Sequence, residues 1–406
     1  MPDVTTVRAF LDESHVELAE RLEEFVAERI AELPAPAGDD AARQQARTLL
    51  GRLGEAGLLR PIARQDFRAC CLVREALAGA SPLADAVFAL QALGTTPLLL
   101  AGSVETRARW VEPATEGSAM AAFAMTEPEA GSDVAALRTT AAREGEEYVL
   151  DGAKTLISNA GIADFYVTFA STDPPAGRRG ISCFLVPAAA PGLSFVRPLV
   201  LSEPHPLGDV ELRDCRVPVS ALIGAEGEGY KLGMATLDRL RPTVGAAACG
   251  MATRALQEAL DHAVRREQFG KPLAEFQLVQ EKLGRMATDL AAARLLVYRA
   301  AWERDKGAER TTVEAAMAKA FATEAAQRIV DDAVQILGGR GVLADHPVAR
   351  LYRAVRALRI YEGTTEIQRL IVAGRLIEAA RATAAAREER EEATPEEGAA
   401  GEGALR

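Results

Sequence analysis

The chain has 406 residues, enough for a large core in two or three domains, and its 47 basic and 58 acidic side chains give a formal charge of −11. This charge argues against non-specific binding to nucleic acid or anionic lipid, so an anionic ligand needs a local basic pocket. The five cysteines lack C-x-x-C spacing, and none of the four histidines has a second ligand at a metal-like spacing. We therefore expect free thiols, a cytoplasmic location and no metal site.

The N-terminus is acidic and amphipathic, without the basic region and apolar core of a signal peptide. Uninterrupted apolar runs are too short to span a membrane, so no membrane partner is expected.

Three patterns follow one another along the chain. Residues 1–118 have helical periodicity, whereas residues 119–229 contain short β-branched and aromatic runs, such as DFYVTF at 164–169, that predict strands. Helical periodicity returns over residues 230–383, and residues 384–406 have the composition of a disordered tail. The predicted fold class is α+β: an N-terminal helical domain, a middle β-domain of barrel or sandwich type and a C-terminal four-helix bundle.

The C-terminal part carries an apolar stripe spaced alternately by three and four residues, which predicts a helix packed against partners. The stripe consists of Phe276, Val279, Leu283, Met286, Leu290, Ala293, Val297 and Ala300. We predict that the next helix begins with a capping box of Thr311 and Glu314 and ends at Gly338-Gly339.

One glutamate is the candidate catalytic base. Residues 360–368 read IYEGTTEIQ, which sets Glu362 between an aromatic residue and Gly363, just ahead of N-cap residues. A glycine lets backbone approach a ligand, and an apolar pocket would raise the pKa of the carboxyl toward the range useful for proton abstraction. The alternative is an ordinary helix N-terminal glutamate stabilised by the helix dipole.

A second motif, AMTEPEAGSD at residues 124–133, opens the β-domain with hydroxyls and backbone donors that suit a polar ring edge or a phosphate. Together with the Glu362 segment, it closely resembles the signature of the acyl-CoA dehydrogenase family over about residues 5–383. Four more stretches fit the same family in the same order: KTLISN at 154–159, DRLRP at 238–242, REQFGK at 266–271 and QILGGRG at 335–341.

The resemblance implies the helical, β, helical fold, a bound FAD and dehydrogenation of a fatty acyl thioester between its α and β carbons. It implies a homo-oligomer, a dimer or tetramer, with FAD at the subunit interface. The cofactor-binding residues that it implies are Met125, Thr126, Gly131, Ser132, Leu156, Ser158, Arg266, Gln268, Phe269, Gln277, Gln335, Gly338, Gly339, Thr364 and Glu366. An Arg fork suits diphosphate oxygens, although by periodicity alone Arg266 is an exposed helix cation and Gly338-Gly339 a helix C-cap.

The resemblance also implies substrate contacts at Ser132, Asp238, Arg241 and Gly363. For Asp238 and Arg241 an intrahelical ion pair is the alternative. In the implied mechanism Glu362 removes the α-proton while the β-hydride passes to flavin N5. The backbone N–H of Glu362 and a flavin ribityl hydroxyl stabilise the enolate. Electrons then leave to an electron-transfer flavoprotein or to oxygen.

The sequence departs from the family pattern at three places. Leu156 replaces the usual flavin-facing Trp, residues 201–208 read LSEPHPLG in place of a Gly-x-Arg-x-Ser loop, and residues 62–66 shorten a glycine-rich loop. Since these loops lie near the entry route of the thioester in relatives, a carrier-protein-tethered acyl group in secondary metabolism is an alternative substrate. Apolar residues Leu83, Val87 and Leu90 are candidates for the acyl pocket or for the core, and Ala84 disfavours a dicarboxyl acyl chain.

An alternative of another class is a non-catalytic homologue that binds flavin or DNA. The presence of Glu362 argues against the first, and the charge of −11 argues against the second.

Overall fold

The computed structural model describes residues 2–392 and begins with short and medium helices. These are α1 Val4–Val7, α2 Glu13–Phe25, α3 Asp39–Glu55, α4 Arg60–Arg64, α5 Phe67–Ala80, α6 Pro82–Ala101, α7 Val104–Thr106 and α8 Glu112–Glu116. Side-chain caps set the two central helices: Asp66 accepts from the Ala69 N–H at 2.9 Å, and Ser81 accepts from the Ala84 N–H at 3.3 Å.

Helix α6 is the one helix of residues 2–392 that is long and apolar enough to cross a membrane by length and composition. Of its most apolar window, 83 % is buried inside the protein, as expected for a core helix.

The middle of the chain forms a sheet of seven strands. They are β1 Ala121–Ala124, β2 Thr140–Glu144, β3 Glu147–Ser158, β4 Phe165–Ser171, β5 Ile181–Pro187, β6 Leu193–Pro198 and β7 Leu207–Pro218. The order is β1-β4-β2-β3-β7-β6, with β5 also paired to β4. The β1–β4 pair is parallel, and β3–β7 is antiparallel with a register shift between Lys154 and Ile157. Beyond this irregularity the pairing resumes, with Ile157 opposite Gly208 and Ser158 opposite Leu207.

Long helices complete the fold. They are α9 Gly229–Arg265, α10 Gln277–Asp305, α11 Thr312–Leu337, α12 Pro347–Leu358 and α13 Thr365–Glu392. A small two-stranded ribbon, β8 Glu267–Gln268 and β9 Lys271–Pro272, lies between α9 and α10. Helices α9, α10 and α11 pack against one another, and α11 also contacts α12 and α13. The predicted α+β class, with helical, β and helical parts in that order, is confirmed.

Local predictions in the C-terminal part had mixed outcomes. The apolar stripe lies on α10 from Val279 onward, with Phe276 at the N-cap, and its members from Met286 to Ala300 are buried. Helix α11 follows Thr311 and ends before Gly338, but the predicted capping box is wrong because the Thr311 side chain makes no cap bond. Its neighbour Thr312 donates to Asp238 instead, at 2.7 Å.

The tail prediction needs correction where the structure reaches it. Helix α13 continues to Glu392, so residues 384–392 are helical rather than disordered. Ala, Arg and Glu are strong helix formers, and this propensity outweighs the lack of large apolar residues. The remainder of the predicted tail lies outside the described residues.

Candidate active site

Glu362 lies in a strained turn between α12 and α13. Its φ is +54° and that of Gly363 is +94°, so two consecutive residues occupy the left-handed region. A Cβ on Gly363 would come within 2.5 Å of the Gln368 amide nitrogen, which explains the glycine. The turn is held through its carbonyls, because Arg241 Nε donates to Glu362 at 3.1 Å and Lys319 Nζ to Gly363 at 2.7 Å.

The Glu362 carboxyl is the group that the sequence predicted, and burial raises its pKa. Three cations, Arg74, Lys319 and Arg241, oppose this rise in that order, and Asp85 reinforces it. Burial also lowers the pKa of Lys319 to about 8. The carboxylate therefore faces positive charge, while burial makes it take up a proton more readily than an ordinary glutamate does.

Unpartnered polar atoms surround this turn. Within the described part of the chain, Glu362 Oε2, Thr365 Oγ1 and Gln368 Oε1 are buried without a hydrogen-bond partner. Buried polar atoms without partners are uncommon in native proteins. Three of them within seven residues indicate a place where a ligand supplies the missing contacts.

Two β-domain motifs are joined by a buried ion pair. Lys154 Nζ donates to Glu127 at 2.7 Å, and the Thr155 N–H donates to the Thr126 carbonyl at 3.0 Å. Burial lowers the pKa of Lys154 to about 8, although Glu127 opposes the change. The pair fixes Met125 and Thr126 beside the end of β3, where Leu156 has a φ of +56° and is 56 % exposed.

Ser158 contacts the loop that departs from the family pattern. Its Oγ lies 2.8 Å from His205 Nε2, and burial lowers the pKa of His205 to about 4, so this imidazole is neutral at physiological pH. Glu203 in the same loop is buried and accepts from Arg350 and Arg353 of α12. The loop is thus fastened to the C-terminal helices.

A second group of predicted cofactor residues is exposed at the surface and comes from two segments, residues 266–277 and 335–339. Its exposed members are Arg266, Gln268, Phe269, Gln277, Gln335, Gly338 and Gly339. Phe269 is 94 % exposed and has a φ of +51°. A large apolar side chain so exposed, in a strained backbone, suits a contact with another molecule. Gly131 and Ser132 are also exposed, in the loop after β1.

A cleft of about 960 Å³ lies between the N-terminal half of α9, α13 and the loop before β5, and Asp238 and Arg241 line it. The two form the intrahelical ion pair considered as the alternative, but Arg241 also holds the Glu362 carbonyl. The other charged lining residues are Arg178, Arg179, Glu228, Lys231, Arg310, Arg375 and Glu378. Six basic against three acidic lining residues form a local basic pocket in a chain of charge −11.

Two further groups of residues, the predicted apolar residues of α6 and a cluster of possible metal ligands, have simple explanations. Leu83, Val87 and Leu90 are buried on α6. His15, Asp66 and Asp305 bring ligand atoms within 4.8 Å of one another. However, Asp305 accepts from the Phe67 and Arg68 N–H groups, and Asp66 contacts His15 and the Ala69 N–H. These bonds account for the cluster.

Sequence reasoning missed three buried charged residues that act on the Glu362 carboxyl. Arg74 and Asp85 form an ion pair on α5 and α6, and Lys319 lies in an Ala-rich stretch of α11. Each is a charged residue within an otherwise buried helical segment, and this pattern was the available signal. Thr364, by contrast, caps α13 by accepting from the Ile367 N–H at 3.3 Å, and Glu366 is exposed in the first turn.

Comparison with known proteins gives three family-model matches. They are the N-terminal domain of acyl-CoA dehydrogenase at residues 12–118, the middle domain at 122–215 and the C-terminal domain at 227–377. Cyclohexane-1-carbonyl-CoA dehydrogenase of Geobacter metallireducens is 36 % identical over 373 residues, covering 89 % of this chain and 97 % of the relative.

Two solved structures are similar over nearly their whole length. Butyryl-CoA dehydrogenase from Megasphaera elsdenii has a TM-score of 0.85 and 31 % identity, covering 90 % of this chain and 99 % of its own. The prolyl acyl carrier protein oxidase AnaB has a TM-score of 0.84 and 27 % identity, with coverage of 90 % and 99 %.

Proposed function

Because the chain belongs to the acyl-CoA dehydrogenase family of oxidoreductases, we propose that it dehydrogenates an acyl thioester, with Glu362 removing the α-proton. The observation that carries the proposal is the Glu362 carboxyl itself, which is desolvated, faces three cations and has an unpartnered buried oxygen. A carboxylate whose pKa is raised by burial is a stronger base than an ordinary glutamate, which suits abstraction of a weakly acidic α-proton. The Glu362 N–H would donate to the thioester carbonyl and stabilise the enolate.

The residues fit an FAD, which supplies the hydride acceptor when bound. Three unpartnered polar atoms lie in the Glu362 segment, and Leu156 is exposed at the end of β3 beside Thr126. Met125, Thr126, Leu156, Ser158, Thr364 and Glu366 would hold the flavin and its diphosphate. The exposed Arg266 and Phe269, together with the exposed Gln335 and Gly339, would hold the FAD of a neighbouring subunit, so we propose a homo-oligomer.

The basic cleft suits the phosphates of a CoA thioester. Arg178, Arg179 and Lys231 line it at one end of α9, and Arg241 connects it to the Glu362 turn. Charge-assisted contacts from Arg and Lys are the usual protein partners of phosphate. We propose acyl-CoA as the substrate, a cytoplasmic location and an electron-transfer flavoprotein as the electron acceptor.

The test is an anaerobic titration of the purified flavoprotein with short- and medium-chain acyl-CoAs, followed by flavin absorption. We expect bleaching in the wild type and a reduction rate about 10²–10⁴-fold lower in Glu362→Gln. Glu24→Gln, which changes an exposed glutamate of α2, is the matched control and bleaches like the wild type. Equal rates in Glu362→Gln and the wild type would exclude Glu362 as the base, and a protein that binds no flavin would refute the proposal.

A carrier-protein substrate is the second candidate, favoured by the altered loop at residues 201–208 and by the similarity to the acyl carrier protein oxidase. The same acyl group is offered on CoA and on a phosphopantetheinylated carrier protein. Faster bleaching by the carrier-bound group would select this candidate, whereas faster bleaching by the CoA ester would reject it.

A further inference from the structure

A fully buried ion pair lies on the N-terminal helices within electrostatic reach of Glu362. Arg74 on α5 donates from Nε and Nη2 to the two carboxylate oxygens of Asp85 on α6, at 2.7 and 2.9 Å. The two residues are only 1 % and 3 % exposed. A buried ion pair is often no more stable than apolar residues of the same volume, so stability alone is a weak reason for this one.

Arg74 connects the pair to the Glu362 turn. Its Nη1 donates to Thr243 Oγ1 at 3.0 Å, two residues along α9 from Arg241, which binds the Glu362 carbonyl. The Tyr361 side chain lies close enough to the same guanidinium for the positive charge to act on its hydroxyl. Helices α5, α6 and α9 and the Tyr361–Glu362 turn therefore meet at one guanidinium.

The cations facing the Glu362 carboxylate use their hydrogen bonds elsewhere. Arg241 binds Asp238 and the Glu362 carbonyl, and Lys319 binds the Gly363 carbonyl. Glu362 Oε2 accepts no hydrogen bond from the residues that the structure describes. The charges of Arg74, Asp85, Arg241 and Lys319, one from each of four helices, therefore act on this oxygen through space.

We propose that Arg74 and Asp85 are positioning residues that orient the Glu362 carboxyl for the reaction. This proposal rests on the proposed role of Glu362 as the base. Arg74 braces the part of α9 from which Arg241 binds the Glu362 carbonyl, and its charge favours the ionised carboxylate. Asp85 orients Arg74 and cancels part of that charge, so the pair sets the pH at which Glu362 becomes a base. Neither residue touches the substrate.

The two partners act on Glu362 with opposite sign, and this distinguishes a positioning pair from a merely structural one. Asp85→Asn leaves Arg74 uncompensated and lowers the pH midpoint of Glu362, whereas Arg74→Gln leaves Asp85 uncompensated and raises it. Each shift is expected to be about one pH unit or more. Loss of packing alone would give both variants the same fall in Tm without opposed midpoints.

The measurement is infrared spectroscopy of the holoenzyme without substrate. The carboxylic-acid band of Glu362 is identified by subtracting the spectrum of the corresponding Glu362→Gln protein in each background, and is then titrated with pH. Arg74→Lys keeps the charge and should retain a midpoint close to that of the wild type. In Arg74→Met/Asp85→Leu both charges are absent, so the midpoint should move less than in either single variant. Apolar side chains of similar volume can replace a buried ion pair with little loss of stability, so this variant should fold.

Opposed shifts in the single variants support the proposal, and shifts in one direction or unchanged midpoints overturn it. If Arg74→Gln does not fold, a midpoint in Asp85→Asn that lies below those of the wild type and the double variant supports the proposal, and an unchanged or higher midpoint overturns it. The titration needs no substrate, so failure of acyl thioesters to bleach the flavin would refute the proposed function without deciding the role of the pair.

Discussion

Two glutamates in buried surroundings, Glu75 and Glu362, have opposite environments. Glu75 lies within the regular helix α5, and its two oxygens accept from Arg294 Nε at 2.7 Å and the Tyr298 hydroxyl at 2.8 Å. Glu362 lies in left-handed backbone and keeps Oε2 without a partner among the described residues. A satisfied carboxylate of this kind joins helices, whereas an unsatisfied one in strained backbone is available to a ligand.

The largest effect that tests this contrast is a loss of stability at Glu75. Glu75→Gln removes the buried charge partner of Arg294 and leaves it only the more distant Asp3, at 3.5 Å, which is expected to lower the free energy of unfolding by about 3–5 kcal/mol. Thermal unfolding measures the change, with Glu24→Gln as the surface control. Flavin reduction per folded protein should stay within a few-fold of the wild type. A stable variant with abolished reduction would reverse the roles assigned to the two glutamates.

The fold class was predicted from local patterns, whereas Glu362 was predicted from its local pattern together with the family resemblance, because its spacing alone also fits an ordinary helix N-terminal glutamate. Helical periodicity, the strand-like runs and the glycine beside Glu362 are properties of neighbouring residues. The partners of Glu362 come from α5, α6, α9 and α11, far apart in sequence, so no local pattern brings them together. The resemblance to a family singled out Arg241 but not Arg74, Asp85 or Lys319.

The capping box and the tail show a different limit of sequence reasoning. Thr311 and Glu314 have the spacing of a capping box, but the Thr311 side chain makes no cap bond. At the start of this helix Thr312 instead donates a hydrogen bond to Asp238 of α9. In the tail, the absence of large apolar residues predicted disorder, whereas helix propensity carries α13 to Glu392. Each pattern was compatible with two structures, and contacts or propensity decided between them.

A smaller effect tests the strain in the Glu362 turn. In Gly363→Ala the new Cβ meets the Gln368 amide in a left-handed conformation, which should cost about 1–3 kcal/mol of stability. The displaced turn should also slow flavin reduction by tenfold or more, because misplacement of a catalytic group by about 1 Å is costly.

Gly284→Ala is the matched control for Gly363→Ala. Gly284 lies in α10 with nothing within 4 Å of a Cβ, so alanine there should stabilise the helix by up to about 1 kcal/mol. Equal effects of the two substitutions would show that the turn at Gly363 carries no strain.

The smallest effect is a dependence of stability on pH that belongs to Glu362 alone. Its carboxyl titrates near the ordinary value of 4.5 in the unfolded chain, and burial raises its pKa in the folded protein. Above pH 4.5 and up to the raised pKa, the unfolded state binds fewer protons, so this residue makes the protein less stable as the pH rises. Each pH unit in this window corresponds to about 1.4 kcal/mol.

Glu362→Gln lacks the effect, and its Tm relative to the wild type should therefore increase as the pH rises from about 4 toward neutral. Thermal scans of the two proteins at a series of pH values give this difference, with Glu24→Gln as the flat reference. A Tm difference that does not change with pH would mean that the Glu362 carboxyl is solvated like an ordinary surface glutamate, and the contrast with Glu75 would then rest on hydrogen bonding alone.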